Sequence, residues 1–444
     1  MDTHVTMISG IVSAYTYRYN NKDYFLFGDH HFSRAGECTD QYGVVCDGLD
    51  KELNLIEGYS GNPGNLSSSC ITIELLLHNW FLYNNSMGIP TDFYIENFFT
   101  KENSRYTTNL TENYSWLQLI NILLKSCLVR EKQACPYYPN IHIHYADIRA
   151  VKTDRHIISS DPFLSVEDLS YELQVNYQMK HTADKLRSLK SGILSIFNIL
   201  IYDAENIYYA ITRPDGFLEF INKWKSQVST DNTTFSQPVP GQDMSPKTTI
   251  SFAERLYLQI ADNMERLTVN RYGGVMHRVA AELQKLRTID PEMAALVNKF
   301  GIDLINKYAQ EAMIDYDAKQ NAWSPWIDKL IDSRDYDRAF NDIIVMISEM
   351  KDVVVTMSTI SMDVYTLSRI FTQNVSQQII VFAGSMHIDH YDLFFRKYVN
   401  IRPIFESPVT DDNNRCINSN LLSDYISATT HRNYKNSLIG YTRG

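Results

Sequence analysis

Two segments of the chain place a histidine three residues after a glycine that ends an apolar strand pattern. The sequence GDHH at 28–31 follows YFLF, and GSMH at 384–387 follows IIVFA. Imidazole changes its protonation near neutral pH and binds metals, so it serves as a general base or as a ligand. Because the strands of an open α/β sheet deliver functional side chains at their carboxyl ends, the two segments predict one shared site.

The alternation of side chains along an extended segment decides which histidine of the first segment takes part. His30 and His31 point to opposite faces, so only one of them can meet His387. The matched spacing from the glycine favours His31, and Asp29 is expected on the side of His31.

A third predicted strand supplies an acid. In the segment TDFYIE, alternation puts Asp92, Tyr94 and Glu96 on one face, and Glu96 is expected at the carboxyl terminus of the strand. Two imidazoles and a carboxylate from three strand ends either hold a divalent metal ion with open positions for water or activate a water as general base. We therefore expect His31, Glu96 and His387 to act together, as catalytic residues and as the ligands of any metal.

The strand pattern IHIHYAD at 141–147 brings further candidates. Asp147 and Arg149 are expected after this strand, where an arginine is suited to a substrate carboxylate or a developing oxyanion. Arg149 is therefore the fourth predicted catalytic residue, and an ion pair with Asp147 at the sheet edge is the equal alternative. His142 and His144 share one face of the strand, where they form either a chelating pair or a solvated or cross-strand face.

Two further residues lie near the second histidine segment. His390 follows His387 by one helical turn and is expected to donate a supporting hydrogen bond to a residue of the site. Arg369 lies in the helix before the last strand, and we expect it to face away from the site.

The elements that must position these residues begin with a predicted hairpin. Apolar and β-branched residues at 5–18 and 23–28 flank Asn20-Asn21, a turn signal. A glycine-containing stretch at 34–69 predicts a long functional loop, and 69–82 predicts a buried helix.

The second half of the chain has a different pattern. Residues 114–130 predict another apolar helix, and 163–345 reads as helical almost throughout. Ser251 and Glu254 form a capping box there, and the polar segment 226–249 predicts an exposed linker. A buried strand at 379–384 and a helix at 389–399 then restore the α/β pattern.

These patterns predict an α/β protein. Its mixed or parallel sheet is expected to be built from the N-terminal and C-terminal segments of the chain, with a large helical insertion between them. The predicted organisation is an N-terminal part of the core at 1–150, the insertion at 151–350, and the C-terminal part of the core with a tail at 351–444.

Composition excludes several classes of partner. The net charge of -11 and the absence of a basic run argue against nucleic acid as a partner. No long apolar run and no signal-peptide pattern occurs, so neither a membrane nor secretion is expected and the chain reads as cytoplasmic. The 6 cysteines lack a C-x-x-C pair and are expected to be free thiols.

Frequent Asn, Ile, Tyr and Asp indicate an AT-rich genome, as in a protist or a large DNA virus. A viral protein of this kind would reside in the host cytoplasm or in the virion.

The two Gly-x-x-His segments with the strand-end glutamate resemble the TIKI/TraB superfamily, whose wider clan includes ChaN-like and erythromycin-esterase-like proteins. The matching positions are Gly28, His31, Glu96, Gly384 and His387. The resemblance covers roughly 20–150 and 370–400. It implies an α/β fold with the histidines and the glutamate at one site, a divalent-metal-dependent protease in the TIKI branch, and hydrolysis by a histidine-activated water in the esterase branch.

The first functional hypothesis is therefore a hydrolase of the metal-dependent protease or esterase type, acting on a peptide or a small ester. The competing hypothesis is a non-catalytic structural or virion/scaffold protein that has kept the fold and binds virion partners or copies of itself. A third hypothesis is a haem- or metal-binding protein that uses the same histidines without turnover.

Overall fold

The structure is a computed structural model, and it describes residues 7–29, 46–47, 67–100, 138–152, 157–159, 182–187, 189–191, 194, 210–215, 275–373, 375–408 and 416–418. Within these ranges the chain divides into two compact units. The first unit draws on residues 1–147, 152–156 and 373–444, and the second on 148–151 and 157–372.

Most strands lie in the N-terminal part of the described chain, and the two longest helices lie between them and the last three strands. The strands are β1 (Met7–Ser9), β2 (Ser13–Tyr19), β3 (Lys22–Asp29), β4 (Cys46–Asp47), β5 (Ser67–Thr72), β6 (Thr91–Thr100), β7 (Ile141–Lys152), β8 (Ile157–Ser159), β9 (Gln378–Gly384), β10 (Phe405–Ser407) and β11 (Cys416–Asn418). The helices are α1 (Ile73–Met87), α2 (Val275–Ile289), α3 (Pro291–Asp332), α4 (Tyr336–Thr372) and α5 (Ser385–Leu393). A π-helical turn, Phe394–Tyr398, continues α5. None of the described helices combines the length and the hydrophobicity that crossing a membrane requires.

The strands form two sheets. The larger has the order β10-β2-β3-β9-β6-β7-β8, and the smaller has the order β11-β1-β5-β4. In the larger sheet β9 runs parallel to β3 on one side and to β6 on the other, whereas β2 runs antiparallel to β3 and to β10. A strand from the C-terminal part of the chain thus lies between two N-terminal strands. The predicted α/β class, with a mixed sheet built from both ends of the chain, is confirmed.

The N-terminal hairpin forms around the predicted turn. Asn20 and Asn21 both have positive φ, 49° and 60°, as a type I′ turn between two antiparallel strands requires. The described part of the segment 5–18 contains two strands, because Gly10, with a φ of 97°, separates β1 from β2. The two strands consequently belong to different sheets.

The larger sheet is covered on both faces. On one face, Phe25 packs edge-on against Trp80 of α1, with ring centroids 4.5 Å apart. Strand alternation turns Tyr24 to the opposite face, where its ring lies 5.1 Å from that of Phe395 in the π-helical turn. The face that packs on α1 is apolar and buried, and its members include Phe25, Phe27, Phe93, Ile95, Ile380 and Phe382.

Several predicted boundaries differ from the structure. Residues 67–72 form β5, which pairs in parallel with β1, so the helix predicted from Ser69 begins only at Ile73. The β-branched residues Ile71 and Thr72 at the end of this run favour a strand. α5 begins directly at Ser385, ahead of the helix predicted at 389–399, so His387 lies in a first helical turn and not on an extended segment.

The described residues of the second unit are mostly helical, apart from the strand residues at 148–151 and 157–159. Asp290 caps α3 by accepting a hydrogen bond from the Met293 amide at 3.0 Å, with Pro291 as the first helical residue. Arg334, with a φ of 62°, lies in the turn to α4. The boundary predicted between 350 and 351 falls inside α4, which continues to Thr372.

Three of the predicted elements lie outside the described residues. They are the helix at 114–130, the linker at 226–249 and the capping box of Ser251 and Glu254. The glycine-containing stretch at 34–69 is described only at Cys46–Asp47 and from Ser67 onward.

Candidate functional site

The Glu96 carboxylate and the His387 imidazole lie together in the first unit. Glu96 Oε1 is 3.5 Å from His387 Nε2, and Glu96 Oε2 accepts a hydrogen bond from the Gly384 amide at 2.6 Å. The side chains are only 7% and 4% exposed. The carboxylate and the imidazole are therefore within ion-pair distance in a buried part of the protein.

The sheet and the helix that follows it produce this contact. The prediction that Glu96 ends its strand is wrong, because β6 continues to Thr100. The pairing of β6 with β9 nevertheless reaches Ile95 opposite Phe382, so Glu96 comes directly after these paired residues. Gly384 ends β9 and is the N-cap of α5, and His387 is the third residue of that helix. Since helical side chains tilt toward the N-terminus, the imidazole turns back toward the strand ends.

The surroundings of the pair favour a carboxylate. The amide of Gly384 points at Glu96 from the start of α5, where the partial positive charge of a helix lies. Tyr391, one turn further along α5, is buried, and its ring centroid lies 6.5 Å from that of His387. The site therefore combines a fixed acceptor, an imidazole and an aromatic wall.

His31, the other predicted histidine, lies outside the described residues. The strand before it ends at Asp29, which is buried and is the register partner of Gly384. Alternation along β3 turns Asp29 toward the α1 face, whereas Glu96 faces α5. Of the three predicted donors, the structure brings Glu96 and His387 together.

The pair can supply two ligands to a metal. Within the described part of the chain, no group of three or more His, Cys, Asp or Glu side chains is arranged to hold an ion. Two donors of one tetrahedral zinc ion, each bound at about 2.1 Å, lie roughly 3.4 Å apart. The 3.5 Å between His387 Nε2 and Glu96 Oε1 matches this separation.

Arg149 and Asp147 do not follow a strand end, as the sequence pattern predicted. β7 continues to Lys152 and contains both residues, so this placement is wrong. Asp147 is buried, and alternation from His144 puts it on the α1 face, opposite Glu96. The side chain of Arg149 lies outside the described residues.

His142 and His144 converge on Asp92, a partner that the sequence pattern did not reveal. Asp92 Oδ1 is 3.3 Å from His142 Nδ1 and 3.0 Å from His144 Nε2. His144 is buried and stacks on Tyr94, with ring centroids 4.5 Å apart. The cross-strand alternative is therefore the one that the structure supports. The sequence did contain a signal for this contact. Alternation places Asp92 on the same face of its strand as Glu96, and it places His142 and His144 together on one face of theirs.

The ionisation of Asp92 follows from these contacts. Burial alone would raise the pKa of its carboxyl group, but hydrogen bonding to His144 and Ser376 and the charges of both histidines outweigh it. The pKa of Asp92 is consequently lowered from 3.8. This acid–histidine cluster lies near the starts of β6 and β7, so it is separate from the Glu96–His387 pair.

The two remaining candidates have different surroundings. His390 is buried on α5, and its carbonyl accepts a hydrogen bond from the Phe394 amide. Arg369 belongs to the second unit, where it donates to the Tyr365 hydroxyl at 2.8 Å and lies 3.5 Å from Glu282 of α2. These contacts tie α4 to α2.

Comparison with known proteins found no match to this chain. No family model matches the chain, and neither a curated protein nor a solved structure is significantly similar to it. The resemblance to the TIKI/TraB superfamily stays a prediction that depends on the motifs. The geometry of Glu96, His387 and Gly384 is what supports a functional assignment.

Proposed function

We propose that this chain is a hydrolase whose reaction centre contains Glu96 and His387. One observation carries the proposal: a carboxylate fixed by the Gly384 amide lies 3.5 Å from an imidazole at the carboxyl end of the parallel strands β3 and β9. This is the part of an open α/β sheet where reacting groups generally lie. A peptide or a small ester is the proposed substrate.

In the general-base form of the proposal, His387 removes a proton from the attacking water. Glu96 then stabilises the imidazolium ion, because its charge lies within ion-pair distance of the ring. The Gly384 amide holds the carboxylate in place during both steps. General-base assistance of this kind is typically worth about 10²–10⁴ in rate.

In the metal-assisted form, Glu96 and His387 would hold a divalent ion, with His31 as the third proposed ligand. When bound, such an ion polarises a carbonyl group and activates a water. The chain's own contribution is to hold the carboxylate against the Gly384 amide and to keep the imidazole beside it.

A non-catalytic role is the second candidate, and the burial of both side chains favours it. In that case the pair fixes the start of α5 to β6 and does nothing further. The two candidates differ in what happens when the charge of Glu96 is removed without disturbing its hydrogen bond.

Glu96→Gln makes this test, because the amide oxygen still accepts from Gly384. Asp92→Asn is a matched control: it is the same acid-to-amide change on the same face of β6, also beside a histidine. Both variants are assayed against peptide and ester substrate panels, and zinc and manganese contents are measured by elemental analysis. Circular dichroism verifies that each variant is folded.

For a hydrolase, Glu96→Gln loses about 10²-fold or more in turnover, or loses bound metal, while Asp92→Asn keeps both. Equal activities and metal contents in wild type and Glu96→Gln would overturn the proposal. A wild-type protein with neither hydrolysis nor bound metal would also overturn it, in favour of the structural role.

A further inference from the structure

The first turn of α5 rests on a small seat in the sheet, formed by Ser13 and Gly28. A Cβ atom added to Gly28 of β3 would overlap Ser13 Oγ, and it would lie 3.2 Å from Ser385 Cα and 3.5 Å from Ile388 Cβ. Gly28 is therefore required by the close approach of β2 and α5 and not by its backbone angles. A methyl group at this position would require the Ser13 side chain to move, and it would press on Ser385 Cα at the start of α5.

Ser13 forms the other half of the seat. It is the register partner of Gly28 across the β2–β3 hairpin and is fully buried. Its hydroxyl makes no hydrogen bond within the described part of the chain. A buried hydroxyl without a hydrogen bond costs about 1–3 kcal/mol, so hydrogen bonding does not explain this residue. Its size does, because Oγ fills the volume that Gly28 leaves open.

The seat and the candidate site belong to the same turn of helix. Ser385 and Ile388 contact the seat, and His387 lies between them in sequence. The Gly384 amide, which holds Glu96, comes immediately before them. A shift of this turn therefore changes the distance between the imidazole and the carboxylate directly.

We infer that Ser13 and Gly28 are positioning residues for His387: their matched sizes set the place of the first turn of α5, and thereby the His387–Glu96 distance. The consequence for turnover rests on the proposed function, whereas the placement of the imidazole does not. A misplacement of about 1 Å costs on the order of 10²-fold in rate.

The test uses Ser13→Ala, Gly28→Ala and the double variant in the full chain. The readout is the NMR titration of the His387 ring in protein with isotope-labelled histidine, assigned by the signal missing from His387→Asn. Ser13→Ala removes only a hydroxyl group and keeps the protein folded, so it provides a result even where Gly28→Ala lowers the yield.

Gly301→Ala is the matched control. A Cβ atom there would lie 2.7 Å from Val364 Cγ2 and 3.1 Å from Ile211 Cδ1, a comparable clash within the second unit. It is expected to lower the melting temperature and to leave the His387 titration unchanged.

For a positioning role, Gly28→Ala shifts the resonance and the titration midpoint of His387. Adding Ser13→Ala returns both toward the wild-type values, because the hydroxyl oxygen that the new methyl group would strike is gone. Ser13→Ala alone gives a smaller shift. A His387 titration identical to wild type in all three variants would overturn the inference and leave only a packing role. If the variants show these shifts and the wild-type protein hydrolyses none of the substrates, only the proposed function is refuted.

Discussion

The Gly384 amide donates a 2.6 Å hydrogen bond to the Glu96 carboxylate, joining the end of β9 to the neighbouring strand β6. The bond makes the carboxylate part of the turn from strand to helix. His387, three residues later, therefore meets an acceptor whose position the backbone has already fixed.

The amide bond predicts different costs for two substitutions of Glu96. Glu96→Gln keeps an acceptor for Gly384 and should change the free energy of unfolding by no more than about 1 kcal/mol. Glu96→Ala leaves a buried amide unpaired and should cost about 1–3 kcal/mol. Urea denaturation at neutral pH measures both, and equal losses would show that the amide contact contributes nothing.

His78 predicts a loss of stability in mild acid. Burial lowers the pKa of its imidazole from 6.5 to about 4, and its Nδ1 lies 2.7 Å from the Tyr138 hydroxyl. At a pH between these two pKa values the unfolded chain binds the proton and the folded protein does not. The contribution of His78 to the free energy of unfolding is therefore fully present above pH 6.5 and decreases as the pH falls toward 4. The expected loss from pH 7 to pH 4.5 is about 2 kcal/mol.

His78→Gln supplies the comparison for that prediction. The amide does not titrate in this range, so the difference in unfolding free energy between wild type and variant should shrink from pH 7 to pH 4.5. Urea denaturation at several pH values measures it. A difference that is constant with pH would mean that the imidazole titrates normally in the folded protein.

Asp92 predicts a pH dependence in stronger acid. Its pKa in the folded protein is lowered from 3.8, so the stability that its charge supplies is present above 3.8 and is lost as the pH falls through the lowered value. Asp92→Asn should cost about 1.5–3 kcal/mol at neutral pH, where hydrogen bonds to a charged group are lost. Denaturation of both proteins from pH 6 to pH 2.5 should show the two stabilities converging in acid; parallel curves would contradict the prediction.

The hairpin turn predicts a backbone effect. Asn21 has a φ of 60°, a conformation that asparagine and glycine tolerate better than alanine. Asn21→Ala should therefore lower the melting temperature by an amount equivalent to about 1 kcal/mol, while Asn21→Gly should be nearly neutral. Differential scanning calorimetry separates the two. Equal effects would show that side-chain contacts matter more than the backbone angle.

The sequence by itself determined the local features of this protein. Alternation placed Asp92, Tyr94 and Glu96 on one face, and Asn20-Asn21 marked the hairpin turn. The apolar run IIVFA identified the buried strand β9. Each of these features depends on neighbours within a few residues, so the pattern of residue types is sufficient to predict it.

Only the tertiary structure decided which residues meet. β9 inserts between β3 and β6, and this order brings Glu96 to Gly384 and His387. The extension of β7 past Arg149 and the close approach of Ser13 to Gly28 were not predicted from the sequence, and neither was the contact of Asp92 with the two histidines. The physical reason is that strand order and helix packing depend on contacts between residues far apart in the sequence, such as the 52 positions between Asp92 and His144 and the 288 between Glu96 and Gly384. Local periodicity specifies which face a side chain occupies, but not which strand or helix will lie beside it.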